Sequence, residues 1–463
     1  MSSTRTSIHG QWSSHWVFIL AATGSAVGLG NVWKFPYMAG ENGGGAFVLI
    51  YLVCVAAIGI PIMIAEVMLG RRGRQSPINT MQYLAEESRH SPAWKWLGWS
   101  GMIAGFIILS FYGVIAGWAL AYVFRTGAGV FEGATADGVS SIFNDLISDP
   151  ERLLAWHTIF IVMTMVVVAR GVSSGLEKAV RFLMPMLFVL LLILLVYAMQ
   201  AGDFIAGLSF LFKPDFSKIF GPDGGRIILS AMGHAFFTLS LGMGAIMMYG
   251  SYLPSGTSIA KTSIAISIAD TVVALLAGMV IFPLVFANGL EPGEGPGLIF
   301  NTLPLAFGHM AGGTFFGTLF FILLVFAAWT SSISLIEPAV AWLVENKDVN
   351  RIWASVVTGI LAWVLGVLTV LSFNRWAFSF RFSGKLKENG IFDILDILTT
   401  NIMLPLGGLF IALFAAWVMK REMSKGELAI KNEKMFDLWY FLVRYVTPVG
   451  VTMVFLNVMG VFG

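Results

Sequence analysis

Two Gly-x-Gly triplets interrupt long apolar stretches: Gly28-Leu29-Gly30, followed by Asn31, and Gly242-Met243-Gly244, with 214 positions between Gly28 and Gly242. A helix in lipid normally satisfies its whole backbone internally, because hydrocarbon offers no other partner. A break frees carbonyls and N–H groups that must meet something polar. Freed carbonyls suit a hard cation such as sodium, and the positive N-terminal ends of half-helices suit an anionic group of a substrate. A carboxylate, Asp270, lies within a further apolar stretch; a charge at that depth lines a cavity or faces a cation. A single triplet is better explained by close helix packing. Two at matching places point to a binding site.

The elements that carry these residues follow from composition. Hydrophobic residues make up 57% of the 463 positions and charged ones 12%, against about 25% charged in a soluble domain, and mean hydropathy is +0.81. The length accommodates roughly a dozen spans of about 20 residues. A net charge of +2 makes no case for nucleic acid, and the single cysteine, Cys54, has no partner for an internal disulfide. The run beginning at Trp16 reads as a first span rather than a cleavable signal. Apolar runs predict eleven spans, at 16–40, 45–70, 96–124, 153–170, 176–199, 226–253, 261–288, 313–343, 352–372, 391–419 and 436–460. Each triplet falls in the first span of a five-span block. Five is odd, so the blocks are inverted copies. The predicted fold is an all-α polytopic membrane protein with helices 1 and 6 broken. Residues 1–15 precede the first repeat (16–199), an extracellular loop (200–225) leads to the second (226–419), and 420–463 adds a cytoplasmic loop and span 11. With the N-terminus inside, cytoplasmic loops hold 17 Lys/Arg against 9 outside, although the outer loop 373–390 is itself basic; the sum predicts a cytoplasmic N-terminus.

Residues 24–47, from Gly24-Ser25-Ala26-Val27 through Trp33-Lys34-Phe35-Pro36 to Gly43-Gly44-Gly45-Ala46-Phe47, resemble the first-helix signature of the neurotransmitter:sodium symporter family. Phe237 to Gly244 is similar to its sixth helix, and Thr330-Ser331-Ser332 to its eighth. The likeness runs from about residue 12 to 460 and is strongest to the bacterial amino-acid transporters of the LeuT type. It implies a LeuT-type 5+5 inverted repeat, in the plasma (inner) membrane, and two sodium sites. The first would use the Ala26 carbonyl, Asn31, Thr238, Asp270 and the substrate carboxylate; the second, Gly24 and Val27 carbonyls with Ala327, Thr330 and Ser331. The family more commonly has Asn where Asp270 stands, and its chloride-dependent members bind chloride nearby. A fixed charge there implies that no chloride is needed. The structural alternative is a salt bridge from Asp270 to Lys261.

The same resemblance implies that the Leu29 and Gly30 amides and the Tyr112 hydroxyl hold a substrate carboxylate. The amine would meet carbonyls around Phe237, Thr238 and Ser240, plus Ala26. Monoamine-transporting relatives carry Asp where Gly28 stands, so an α-amino acid is expected. Ile108, Phe237, Ser240, Met243, Ser331 and Leu335 would line an apolar side-chain pocket, with Met243 its adaptable wall. The implied activity is sodium-coupled import of hydrophobic L-amino acids by alternating access.

Gating by resemblance pairs Lys34 with Asp396 across the outer vestibule, and Lys in place of the usual Arg loses a bidentate fork. Phe237 and Tyr112 would form a lid. Glu345 stands as the inner-gate carboxylate, but His9 occupies the place of its expected Arg. Arg5 or a protonated His9 would substitute, the latter making inward opening pH-sensitive. Tyr252 belongs to that gate, and Glu66 would cap freed backbone. Gly175 and Pro185 bracket a turn of span 5 that either unwinds to release sodium or simply starts and kinks the helix. An enzyme has no support, since no nucleophile–base set, metal cluster or phosphate loop stands out. A channel, a binding-only sensor, or a symporter for taurine or a β-amino acid are the competing readings. The oligomeric state is not legible.

Overall fold

A computed structural model describes residues 7–221, 224–292, 297–382, 385–458 and 461. Among these, nine helices are long and apolar enough to cross a membrane: Gly45–Gly73, Pro92–Gly127, Pro150–Ala169, Val172–Ala201, Ile259–Ala287, Gly313–Lys347, Arg351–Ser372, Gly390–Val418 and Glu433–Asn457. They are spans 2–5 and 7–11. Span 1 is a pair, His15–Ala26 and Gly30–Glu41, bent by 52°. Span 6 is also split, into Gly224–Thr238 and Ala245–Ser251, and each half is too short to cross alone.

Burial separates a centre from a periphery. The most apolar windows of spans 3 and 8 are 78% buried, those of spans 4 and 11 only 33% and 28%. Lipid supplies no hydrophobic drive between helices, so close contact rests on small residues and interlocking shape. A Cβ on Gly105 of span 3 would stand 3.0 Å from the Leu335 carbonyl of span 8. One on Gly250 would meet the Val67 carbonyl of span 2 at 2.9 Å. Apolar residues exposed on spans 4, 5 and 9, such as Val162, Val189, Leu192, Ile360 and Val364, face where acyl chains belong.

The connections are more ordered than apolar runs suggest. The region 200–225, read as a plain loop, holds helices Phe204–Phe212 and Phe216–Phe220. The basic loop before span 10 contains strands Phe380–Phe382 and Lys385–Lys387, paired antiparallel. The strands are short and charged, and Phe204–Phe212, although apolar, has only 9 residues, which is why the run count passed over them.

Candidate functional site

The first break begins where the helix ends at Ala26. Val27 is extended, with ψ 108°, and the chain resumes at Gly30 in a wide turn whose Phe35 amide reaches the Gly30 carbonyl. The carbonyls of Gly24, Ser25 and Val27 converge on Ser331 Oγ of span 8, at 3.3, 3.2 and 3.1 Å. One hydroxyl proton serves one acceptor at a time, so oxygens outnumber donors here. Thr330 Oγ1 lies 3.1 Å from the Ala327 carbonyl, and a Cβ on Gly24 would meet Thr330 Cβ at 3.2 Å. Gly24, Val27, Ala327, Thr330 and Ser331 therefore form one buried, oxygen-rich cluster between spans 1 and 8.

A second cluster joins spans 1, 6 and 7. Asn31 Nδ2 donates to Asp270 Oδ1 (2.8 Å), to the Asp270 carbonyl (3.0 Å) and to Thr238 Oγ1 (3.1 Å). Thr238 donates to the other carboxylate oxygen at 3.0 Å, and the Gly28 amide holds Asn31 Oδ1 at 3.0 Å. Asn31 and Asp270 are fully buried, and Ala26 lies buried at the adjoining helix end. Among the described residues the carboxylate has neutral donors and no basic partner. Lys261, the alternative partner, is exposed at the start of span 7, about 13 Å along the helix at 1.5 Å per residue. That salt bridge does not form. A buried charge with neutral donors alone is costly, and a cation beside it would relieve the cost.

Between the clusters, the missing side chain of Gly28 decides the geometry. A Cβ there would stand 2.6 Å from Ser331 Oγ and 2.7 Å from the Tyr112 hydroxyl. That hydroxyl accepts the Leu29 amide at 3.0 Å, so of the two amides read as anion donors, Leu29 is already engaged. Gly101, Gly105, Ile108 and Tyr112 fall on one face of span 3 by their spacing. Cβ atoms on the two glycines would meet the Met243 backbone at 3.1 Å and the Leu335 carbonyl at 3.0 Å. Ile108, Ser240, Met243, Ser331 and Leu335 are buried. Phe237 is half-buried, with Cε1 3.2 Å from where a Gly30 Cβ would be.

The second break is held by backbone conformation and one carboxylate. Ser240, Gly242 and Gly244 have φ of +54°, +82° and +77°, a region open to glycine and strained for serine. Ser240 Oγ donates to the Ser25 carbonyl at 2.9 Å, tying the two breaks together. Glu66 of span 2 accepts the Gly242 amide at 2.7 Å. Gly408 of span 10 admits the bend, its amide 3.0 Å from where a Gly242 Cβ would stand.

The two gates differ. On the inner side His9 Nε2 lies 3.0 Å from Glu345 Oε1, and Glu345 also accepts the Ser76 amide at 2.8 Å and Asn79 Nδ2 at 2.9 Å. Arg5 lies outside the described residues. Trp12 is buried, its amide on the Tyr252 carbonyl (3.0 Å) and its indole N–H on the Tyr249 carbonyl (3.1 Å). Tyr252 donates to Glu337 at 2.6 Å, and Glu337 is ion-paired with Arg351. The Glu337–Arg351 pair was missed from sequence. Its signal is a carboxylate in mid-span, the same argument that singled out Asp270. On the outer side the expected Lys34–Asp396 pair is not formed. Lys34 Nζ sits 4.1 Å from the centroid of the Phe237 ring, a favourable cation–π geometry, while Asp396 Oδ1 accepts Thr400 Oγ1 at 2.7 Å. Each group has a nearer partner. Span 5 opens with a wide π-turn over Val172–Leu176, which contains Gly175, and continues as α-helix from Glu177.

Among the described residues, nine continuous spans, broken first and sixth helices and polar clusters gathered around both breaks define a multi-pass secondary transporter of the LeuT fold, and not an enzyme. The chain belongs to the sodium:neurotransmitter symporter family, whose model matches residues 9–130 and 143–462. It is 37% identical over 456 residues to an uncharacterised sodium-dependent transporter, YhdH, of Bacillus subtilis, covering 97% of this chain and 98% of that one. An uncharacterised sodium-dependent transporter of Haemophilus influenzae is 33% identical over 96% and 97%. The crystal structure of MhsT in complex with L-phenylalanine superposes with a TM-score of 0.86 at 41% identity, covering 97% of this chain and 99% of that one.

Proposed function

We propose that this transporter is a sodium-coupled symporter that imports hydrophobic L-amino acids across the plasma membrane, with its N-terminus in the cytoplasm. One observation carries the reading: at Gly28 the hydroxyls of Tyr112 and Ser331 meet the span 1 break, between two oxygen-rich clusters. An α-carboxylate bound by Tyr112 lies where it can share a cation with Asn31, Thr238 and Asp270, which couples substrate to sodium. A second sodium sits among Gly24, Val27, Ala327, Thr330 and Ser331. The apolar side chain packs on Ile108, Met243 and Leu335, in keeping with the phenylalanine bound to MhsT.

Asp270 supplies a fixed negative charge beside the first sodium, and transport is therefore chloride-independent. Sodium entry, aided by about 2.3 kcal/mol per charge per 100 mV, drives uptake. The His9–Glu345 contact and the Trp12 docking close the inner side until both ions and substrate are bound. Glu345 and His9 form an ion pair only when His9 is protonated.

The test is binding of the twenty amino acids to purified protein in sodium against potassium. Sodium-dependent binding of Leu, Phe or Trp is expected. Binding indifferent to sodium, or a preference for taurine or a β-amino acid, overturns the reading; sodium-dependent binding without uptake in proteoliposomes makes the protein a sensor. Replacing chloride with gluconate leaves uptake unchanged, and a strong loss removes the role given to Asp270.

A further inference from the structure

Spans 3 and 10 part near the start of span 3, away from both ion clusters. A cleft of about 400 Å³ opens between them, lined mainly by Trp94, Trp96, Leu97, Leu406, Gly407 and Phe410. That volume is within the range of small-ligand sites. Trp96 and Phe410 are 65% and 42% exposed, so the cleft opens sideways to the hydrocarbon and not to an aqueous vestibule. Trp94 is fixed by edge contacts with Phe414 (5.2 Å) and Phe410 (6.4 Å).

Two more features give the cleft a ligand chemistry and a consequence. Arg89 and His90 are exposed and Lys95 is half-buried, bracketing the lining residues Ser91, Ala93 and Trp94 at the membrane boundary. Of the neighbouring acids, Glu87 is paired with Arg72, while Glu86 accepts the neutral amide of Gln82 at 3.1 Å, which does not cancel its charge. With Arg89 and Lys95 against Glu86, the rim carries a net positive charge above an apolar slot, complementary to an anionic headgroup with an acyl chain. At the inner end stands Gly407, packed directly on Gly242 of the broken span 6.

We propose that this cleft binds one anionic phospholipid, its acyl chain between Trp94, Leu97 and Phe410 and its headgroup at Arg89 and Lys95. Its occupancy supports the span 10 wall against which the span 6 break rests, and so tunes substrate affinity. Only this last step depends on the transport function proposed above.

The experiment uses full-length protein in nanodiscs of phosphatidylcholine with or without phosphatidylglycerol. Native mass spectrometry counts retained lipid, and a photoactivatable phosphatidylglycerol maps its contacts. One phosphatidylglycerol is retained in preference to phosphatidylcholine, cross-linking within 91–100 and 406–410. The pair Arg89→Gln and Lys95→Gln together lowers that preference roughly thirtyfold, at about 1 kcal/mol per charge. Ala93→Trp, which fills the slot, abolishes retention. Equal retention of the neutral lipid, or retention unchanged in both variants, overturns the site. Retention with sodium-dependent amino-acid binding unaltered by phosphatidylglycerol overturns the coupling alone. Absence of amino-acid binding in every lipid instead refutes the transport reading and leaves the retention result to judge the site.

Discussion

Giving Gly28 a single methyl group tests whether the span 1 break is the shared floor of the ion and substrate sites. In Gly28→Ala the new carbon would begin 2.6 Å from Ser331 Oγ and 2.7 Å from the Tyr112 hydroxyl, where ordinary contact starts at 3.4 Å. Each hydroxyl must withdraw by about 0.7 Å. The 3.0 Å bond from the Leu29 amide to Tyr112 then stretches beyond hydrogen-bonding range. The contacts of Ser331 with the Gly24, Ser25 and Val27 carbonyls are displaced too. A buried donor or acceptor left unpaired costs about 1–3 kcal/mol. Two such losses, about 2–6 kcal/mol together, predict a fall in amino-acid affinity of roughly 30-fold to 20,000-fold. Sodium-dependent amino-acid binding, titrated in both ligand and sodium, is the assay. The sodium midpoint should rise along with the amino-acid Kd, because Ser331 belongs to both sites. Binding of both within threefold of wild type, in a protein that still contains alanine at 28 and folds, refutes the reasoning.

Three further outcomes are expected. Asp270→Asn removes the charge beside Asn31 and Thr238; a unit pair 4 Å apart is worth about 4 kcal/mol at an effective dielectric of 20. Sodium affinity should drop at least a hundredfold and partly recover with chloride, and a sodium titration unchanged in gluconate would falsify Asp270 as a ligand. His9→Ala leaves Glu345 with Ser76 and Asn79, so the latch loses about 1 kcal/mol; hydrogen exchange of residues 7–13 should quicken about fivefold, and unaltered exchange argues against a latch. Gly242→Ala meets a φ of +82° and, nearest of all, the backbone carbonyl of Leu404, with the Gly408 amide next, at a cost of about 1–2 kcal/mol or more; a lowered unfolding temperature is expected, and wild-type stability means the bend adapts.

Much of this was legible because it is local. The Gly-x-Gly breaks announce themselves in a window of a few residues, since a helix in lipid cannot otherwise lose its bonds. Asp270 is conspicuous because so few charges lie in apolar runs, and Glu337 would have been equally so had the same argument been applied. The Lys34–Asp396 pair failed for another reason. A lysine two residues beyond Val32 and an aspartate of span 10 have opposite charge, but sequence says nothing of the Phe237 ring that lies closer. The helices of 200–225 and the hairpin of 380–387 were passed over because elements of 3 to 9 residues, even one as apolar as Phe204–Phe212, leave no run of span length to count.

By itself, then, the amino-acid sequence determined which stretches cross the membrane, where two of them break and which polar residues are available at the breaks. Each is a property of a short window of chain. Only the tertiary structure decided the partners: Leu29 with Tyr112 at a separation of 83 residues, His9 with Glu345 at 336, Glu337 with both Tyr252 and Arg351. The spans are apolar nearly all round, so their periodicity does not say which face turns inward. Rotation and axial register come instead from close contacts between spans, such as Gly105 on the Leu335 carbonyl and Gly250 on Val67. A shift of one residue there would turn each side chain by about 100° and leave every cluster described above without its partners.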